Sequence, residues 1–227
     1  MISEIARDLL LTIVTHMMGP FGNRLRYLYY RKRLAFIHPT TILDVGVQII
    51  NPQSISIGEN THIDRYCILI GGSPKNNDNR ELKDIENPNF QEPLGKLIIG
   101  RCCHIAPQCI LSGIGGLVVG DQVTISAASK VYSLSHHYRS FSNPKNRDFC
   151  FGSGAPLNLQ CLVRGPIVIE NNVGIGANSI ILPGVTIEEQ SFVSIGSVVR
   201  HRVLQNQIVA GNPAVFVKNR FKESCTK

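Results

Sequence analysis

Aliphatic residues return every six positions along most of this chain. Units open at Ile57, Ile63, Ile99, Ile105, Leu111, Val119, Ile125, Val131, Ile169, Ile175, Ile181, Ile187, Val193 and Val199, and the residue four places later is small or slender throughout, from Thr61 and Cys67 to Ser197 and Val203. A period of six is neither the 3.6 of a helix nor the 2 of a long strand; it suits short strands that each turn a corner before the next. Three faces close a triangular coil, and coils stack with parallel strands about 4.8 Å apart, each burying its aliphatic row on the next. Glycine directly after the opening aliphatic, as at Gly58, Gly100, Gly120 and Gly176, is expected to serve the tight corners.

Grouped by three, the units form coils at 57/63/69, 99/105/111, 119/125/131, 169/175/181 and 187/193/199. Every interruption follows a third unit, so the excursions all leave one corner of the prism. Stacked loops along one edge wall off a groove, a usual place for a site. Residues 37–56 read as a weaker capping coil with Leu43, Ile49 and Ile55 pointing inward. The N-terminal segment reads as helix, interrupted at Gly19-Pro20, with Ile2, Ile5, Leu9, Thr12 and Ile13 on the face that covers the end of the solenoid. The expected fold is all-β, a parallel β-helix at 37–217 with long loops at 71–96 and 137–166, preceded by a helical segment at 1–36 and followed by a tail at 218–227.

Composition adds exclusions. At 43% hydrophobic and 17% charged residues the chain can bury one sizeable core. It has no apolar run long enough to span a bilayer and no basic, cleavable start, which predicts a cytoplasmic protein. Seven cysteines, an odd number with no CxxC pair, fit reduced packing residues. The net charge of +7 does not indicate nucleic acid, because basic residues interleave with aromatics only at Arg24–Arg33. That segment suits either peripheral contact with anionic lipid or packing of its tyrosines on the first coil, and packing is the expected reading.

The stretch from Gly165 through Asn171-Asn-Val-Gly-Ile-Gly-Ala-Asn-Ser179 to Ile187, with the later Gly211-Asn-Pro-Ala214, resembles the hexapeptide-repeat acyltransferases. It is most similar to the galactoside, maltose and polysaccharide O-acetyltransferases. The resemblance implies a left-handed coil, although parallel crossovers are right-handed in about 98% of cases. It implies an acyl-CoA-dependent O-acyltransferase that takes acetyl-CoA as co-substrate, needs no metal, assembles as a homotrimer and acts on a glycan or small-molecule acceptor. His136, in Val131-Tyr-Ser-Leu-Ser-His136, matches the family's catalytic position where an external loop departs. A hydroxyl is a poor nucleophile near neutral pH, and a base with a pKa near 7 answers that need. The hexad phase puts Ser135 inward and His136 at the corner.

For the cofactor, the resemblance implies backbone contacts at Ala177 and Ile195, with the 3′-phosphate end meeting Arg200, His201 and Lys218. Asp64, Tyr66 and His137 are acceptor-side candidates, and the polar run Asn76 to Asn79 with Asn87 suits a hydroxyl-rich ligand or a solvated loop equally. Two departures stand out. Gly174 occupies the family's tryptophan position in a chain without tryptophan, and Ile195 replaces an alanine. Two other readings compete. A zinc enzyme resembling the γ-class carbonic anhydrases needs two histidines five residues apart, a spacing missing here. A non-enzymatic scaffold explains the hexads but not a histidine at the loop-bearing corner. His62 and His104 read as surface residues.

Overall fold

The computed structural model describes residues 2–73 and 79–221; Asn76, Asn77 and Asp78 lie outside them. Two helices, α1 (Ile2–His16) and α2 (Gly19–Tyr30), precede a left-handed parallel β-helix. Among the described residues its three faces are sheets of six, eight and six strands. The hexad opening positions stack on one another. Ile57 pairs with Ile99, Ile99 with Val119, Val119 with Ile169 and Ile169 with Ile187 on the first face. Ile63, Ile105, Ile125, Ile175 and Val193 run up the second face, and Leu69, Leu111, Val131, Ile181 and Val199 up the third. All are buried and join one continuous core.

The positions four later are buried as well, with one exception. Ser135 is exposed, and Ser133 takes the inward place, its hydroxyl donating to the Ser112 carbonyl at 2.6 Å and accepting the Gly115 N–H at 2.9 Å. The hexad phase therefore ends two residues earlier than the repeat implies, and the strand Leu134–His137 already belongs to the excursion.

Corners on two of the three edges are turned by a residue in the left-handed region, three places after the opening aliphatic. Asn60, Tyr66, Cys102, Gln108, Gln122, Ala128, Asn172, Asn178 and Gln190 all have φ between 52 and 63°. For a residue other than glycine this conformation costs roughly 1–2 kcal/mol. The stack offsets it, because each such N–H donates to an oxygen one coil away: Asn60 to the Thr40 hydroxyl at 2.8 Å, and the others to carbonyls, as Gln108 to Arg65 at 3.1 Å, Ala128 to Pro107 at 2.9 Å and Asn178 to Ala127 at 3.0 Å. The glycines expected at the corners serve another purpose. A Cβ on Gly58 would lie 2.6 Å from the Gly100 carbonyl oxygen, and one on Gly100 2.6 Å from that of Gly120. They are required by close approach of successive coils.

The third corner carries every excursion, from Gly71 to Leu97, from Gly113 to Leu117 and from Tyr132 to Ile167. The two long ones fold together. Leu134–His137 runs antiparallel to Cys161–Arg164, which pairs in parallel with Glu81–Asp84, making a three-stranded sheet beside the prism. Asn87 is buried, donating to the Pro166 carbonyl at 3.0 Å and accepting from the Thr186 hydroxyl at 3.0 Å. It clamps the first loop to the coils and is not free to meet a ligand.

At the other end the weak coil is complete, with Phe36–Ile37, Ile42–Leu43 and Gln48–Ile50 each pairing with the coil above. The helix that caps it is α2, through buried Tyr27 and Tyr30. Burial pushes the Tyr30 hydroxyl up to about 12. Arg26 is fully buried and donates to the carbonyls of Leu43, Val14 and Met17. The Arg24–Arg33 segment thus commits its buried members to packing. The face of α1 expected to do this work does not: Ile5, Leu9 and Ile13 are 56, 60 and 51% exposed, while Val14 is buried. Arg26 and the Gly46 N–H take the carbonyls of Val14, Thr15 and Met17 and so fix how α1 is rotated. The side chain of Ile2 lies outside the description.

Replacing Ile105, which has neighbours above and below in its ladder, by Ala is expected to lower unfolding free energy by about 2–5 kcal/mol, and by Val by about 0.5–1.5 kcal/mol. Equilibrium denaturation is the check, and equal losses for the two variants would contradict the stacked core.

Candidate active site

The expected site residues fall in four groups along the prism. His136 and His137 lie on Leu134–His137, the strand that leaves the loop-bearing corner. Strand pairing puts Leu134 and His136 on one face of the outer sheet with Leu162, Arg164, Leu82 and Asp84. Beneath that face is a cavity of about 280 Å³, lined by Arg80, Leu82, Ile114, Leu134, Leu162 and Arg164 among others. Arg164 forks onto Asp84, Nε to Oδ1 at 2.6 Å and Nη2 to Oδ2 at 2.8 Å, and the carboxylate holds the guanidinium pKa above its ordinary value.

The two adjacent histidines differ. His137 Nδ1 lies 2.8 Å from the Arg139 carbonyl, and its ring stacks on Phe141 at 4.1 Å and beside Tyr138 at 4.3 Å. His136 is half-buried, its ring edge-on to Phe151 at 6.3 Å, and among the described residues neither ring nitrogen has a hydrogen-bond partner. Alternation along the strand turns them to opposite faces. His136 therefore keeps a nitrogen for a ligand, and His137 ties down the loop that follows.

That loop is also held by Glu81. Its Oε1 accepts the N–H groups of Phe141 at 2.8 Å and Ser142 at 2.6 Å. Burial alone would raise this carboxyl pKa, but the hydrogen bonds from Ser140, Ser142 and Phe141 outweigh it and the pKa is lowered.

Ala177 and Ile195 occupy the same corner on consecutive coils. The Ala177 carbonyl accepts the Gly196 N–H at 2.9 Å, whereas the N–H groups of Ala177 and Ile195 have no backbone acceptor among the described residues. Ile195 is 75% exposed. The Gly174 position is covered from the next coil: Phe192 is its ladder partner, and a Cβ on Gly174 would touch the Phe192 ring at 2.8 Å. An aromatic wall thus exists, contributed by a residue one coil on.

Arg200 and His201 are exposed in the turn after Val198–Val199, and Lys218 is exposed on Ala214–Asn219, the outer strand of a terminal hairpin whose turn is Gly211-Asn-Pro-Ala214. Their basic neighbours are committed, Arg202 to Glu188 and Arg220 to the carbonyls of Asn172 and Gln190.

Asp64 and Tyr66 sit far down the prism. Tyr66 turns a corner and lays its ring on Gly46 of the coil below. Asp64 meets two histidines that looked unremarkable in sequence. Its Oδ1 is 3.1 Å from His62 Nε2 and its Oδ2 2.9 Å from His104 Nε2. The histidines are 42 positions apart in the chain yet paired in the ladder. Counting one repeat period between the interrupted coils would have found this contact.

No family model matches the chain. It is 26% identical over 172 residues, 75% of its own length and 74% of the relative's, to a dTDP-4-amino-4,6-dideoxy-D-glucose acyltransferase of Escherichia coli. It is 32% identical over 108 residues, 48% of the chain and 53% of the relative, to the putative lipopolysaccharide biosynthesis O-acetyl transferase WbbJ of Escherichia coli K12. Among solved structures, a mutant of AntD, an N-acyltransferase from Bacillus cereus in complex with dTDP and coenzyme A, superposes with a TM-score of 0.67 at 26% identity, covering 87% of this chain and 90% of that one. A hexapeptide-repeat acetyltransferase from Vibrio cholerae complexed with acetyl coenzyme A shares the fold at 19% identity and a TM-score of 0.51, covering 95% and 85%.

Because the Glu81 carboxyl is more acidic folded than unfolded, its stabilisation is complete above the unfolded value near 4.3 and is lost as pH falls through the folded one. Glu81→Gln at neutral pH is expected to speed hydrogen exchange in residues 138–150, and wild type should show the same change only once pH falls below the ordinary carboxylate range. Exchange in that segment that ignores both changes would show that Glu81 does not hold the loop.

Proposed function

Given that the chain belongs to the hexapeptide-repeat acyltransferase family, we propose that it moves an acetyl group from acetyl-CoA to a hydroxyl of a saccharide, a sugar nucleotide or a surface-polysaccharide precursor, with His136 as general base. The observation that carries the residue assignment is the contrast within one strand: His136 has uncommitted ring nitrogens under Phe151, while His137 is engaged in the loop.

In this reading the imidazole takes the acceptor's hydroxyl proton as the oxygen attacks the thioester carbonyl carbon. The tetrahedral oxyanion collapses, the carbon–sulfur bond breaks, and the CoA thiolate leaves and recovers the proton from the imidazolium. The free N–H groups at Ala177 and Ile195 suit the amides of pantetheine, and Phe192 supplies the wall beside them. Arg200 and Lys218 offer the positive charge that the 3′-phosphate requires, and the exposed His201 ring lies beside Arg200 as a further hydrogen-bonding group. Asp64 and Tyr66 would meet an acceptor only if it extends along the corner. Two prisms side by side are needed to enclose such a groove, which favours the trimer.

A second reading has its own support. Two relatives that span most of the chain are named as an acyltransferase of a 4-amino sugar nucleotide and as an N-acyltransferase. An unprotonated amine attacks a thioester without prior deprotonation, so an amine acceptor depends less on a base than a hydroxyl does.

His136→Ala is expected to lower transfer to a hydroxyl acceptor by about 10²–10⁴-fold with CoA affinity unchanged, and His137→Ala to lose less. Transfer to a 4-amino sugar nucleotide that survives His136→Ala would identify the amine reading. CoA should raise the melting temperature by mass action, and Lys218→Glu should diminish that rise; no rise at millimolar CoA rejects the acyl-CoA assignment. Sedimentation should give a trimer, and a stable monomer at micromolar concentration would count against shared sites.

A further inference from the structure

The second face of the prism carries a cluster to which the acyl-transfer mechanism above assigns no chemical step. Its outward row runs Ile42, His62, His104, Thr124 up successive coils. Asp64 enters from the adjoining corner, so that one donor atom from each of His62, Asp64 and His104 lies within 4.8 Å of the others. We propose that these three side chains bind a single divalent transition-metal ion, zinc, nickel or cobalt, at a site on a different corner from the one that carries His136.

The backbone holds the donors in place. The N–H groups of His62, His104 and Asp64 donate into the next coil at 2.9 Å each, to Cys103, Val123 and Ile105. Only side-chain torsions remain to adjust. In a tetrahedral site with bonds of about 2.0 Å, ligand atoms are about 3.3 Å apart. His62 and His104 approach different oxygens of Asp64, at 3.1 and 2.9 Å, and with one ligand atom taken from each residue all three lie within 4.8 Å, so side-chain rotations bring them to that spacing. The two rings lie side by side, with centroids 5.8 Å apart and planes tilted by 37°.

Chemistry selects the ion. Two imidazole nitrogens and one carboxylate oxygen suit zinc, cobalt and nickel, whereas calcium and magnesium prefer all-oxygen shells. The Asp64 side chain is 17% exposed and those of His62 and His104 are 41 and 49% exposed, leaving an open side for water. Ile42 and Thr124, which flank the pair in the ladder, carry no charge to repel a cation, and the nearby Arg65 lies 3.7 Å from Asp44. Its two histidines belong to successive coils separated by a long excursion, and in the sequence only the hexad register connects them.

Tag-free full-length protein, stripped with a chelator and titrated with Co²⁺, is expected to bind one ion per chain with visible d–d absorption, and Zn²⁺ should displace it. His62→Ala, His104→Ala and Asp64→Asn should each weaken binding by more than about tenfold. Loss by all three, with circular dichroism and melting unchanged, supports the site; stoichiometric binding retained in the His62→Ala, His104→Ala double variant overturns it. A measurement on wild type alone guards against misfolded variants. Zn²⁺ should protect His62 and His104 from diethyl pyrocarbonate while His38 and His201 stay reactive. Equal labelling with and without Zn²⁺ rejects the proposal. Neither readout involves acyl transfer, so the outcome is independent of the function proposed above.

Discussion

A coil of three short strands cannot bury its aliphatic residues by itself; it needs another coil above and below. This is the constraint on which the rest of the structure depends. Each inward side chain contributes roughly 1.5–3 kcal/mol only when its ladder neighbours cover it. The ladders from Ile57 to Ile187, Ile63 to Val193 and Leu69 to Val199 meet that condition with aliphatic residues stacked in register. Register in turn fixes the corners. Residues such as Gln108 and Ala128 hold an unfavourable left-handed conformation because their N–H groups then reach the carbonyl of the neighbouring coil. It also fixes the glycines, since coils at that spacing leave no room for a Cβ at Gly58 or Gly100.

The same constraint decides where the chain is free to vary. Two edges are occupied by tight, repeated turns and admit no insertion without breaking a hydrogen-bond column. The third is open, and both long excursions leave from it. Once outside the prism they are released from the hexad rule and pair with each other, placing His136, Leu162 and Leu82 on one face above the cavity. Glu81 and Asn87 are polar anchors of this assembly, each joining segments distant in sequence, while His137 holds the turn that directly follows it. Rigid prism and anchored loops together hold the His136 strand in place, while loop residues shape the face above the cavity.

Stacking equally brings together residues that no local pattern connects. The Phe192 ring lies against Gly174 from the next coil, 18 positions on in the chain. His62 and His104 meet at Asp64 through the same mechanism. In a solenoid, the neighbours of a side chain are one coil away in space and anywhere from about twenty to more than forty residues away in the chain, depending on whether an excursion intervenes.

The fold was legible in the sequence because burial recurs with the period of the backbone itself: the hexad openings, the inward small residues and the corner that carries the loops can all be counted. His136 was legible as the residue at the loop-bearing corner. Its surroundings were not, because the hexad phase stops at Ser133 and the strand beyond obeys pairing with Cys161–Arg164. The rotation of α1 was equally hidden. Helical periodicity shows which residues share a face, but Arg26, reaching the last carbonyls of that helix, decides which face looks outward. Repeats that pack against themselves are written locally, one unit at a time. Contacts between an excursion and the prism, or between one coil and the next, are set by side chains whose separation in sequence bears no relation to their distance in space, and only the tertiary structure decides them.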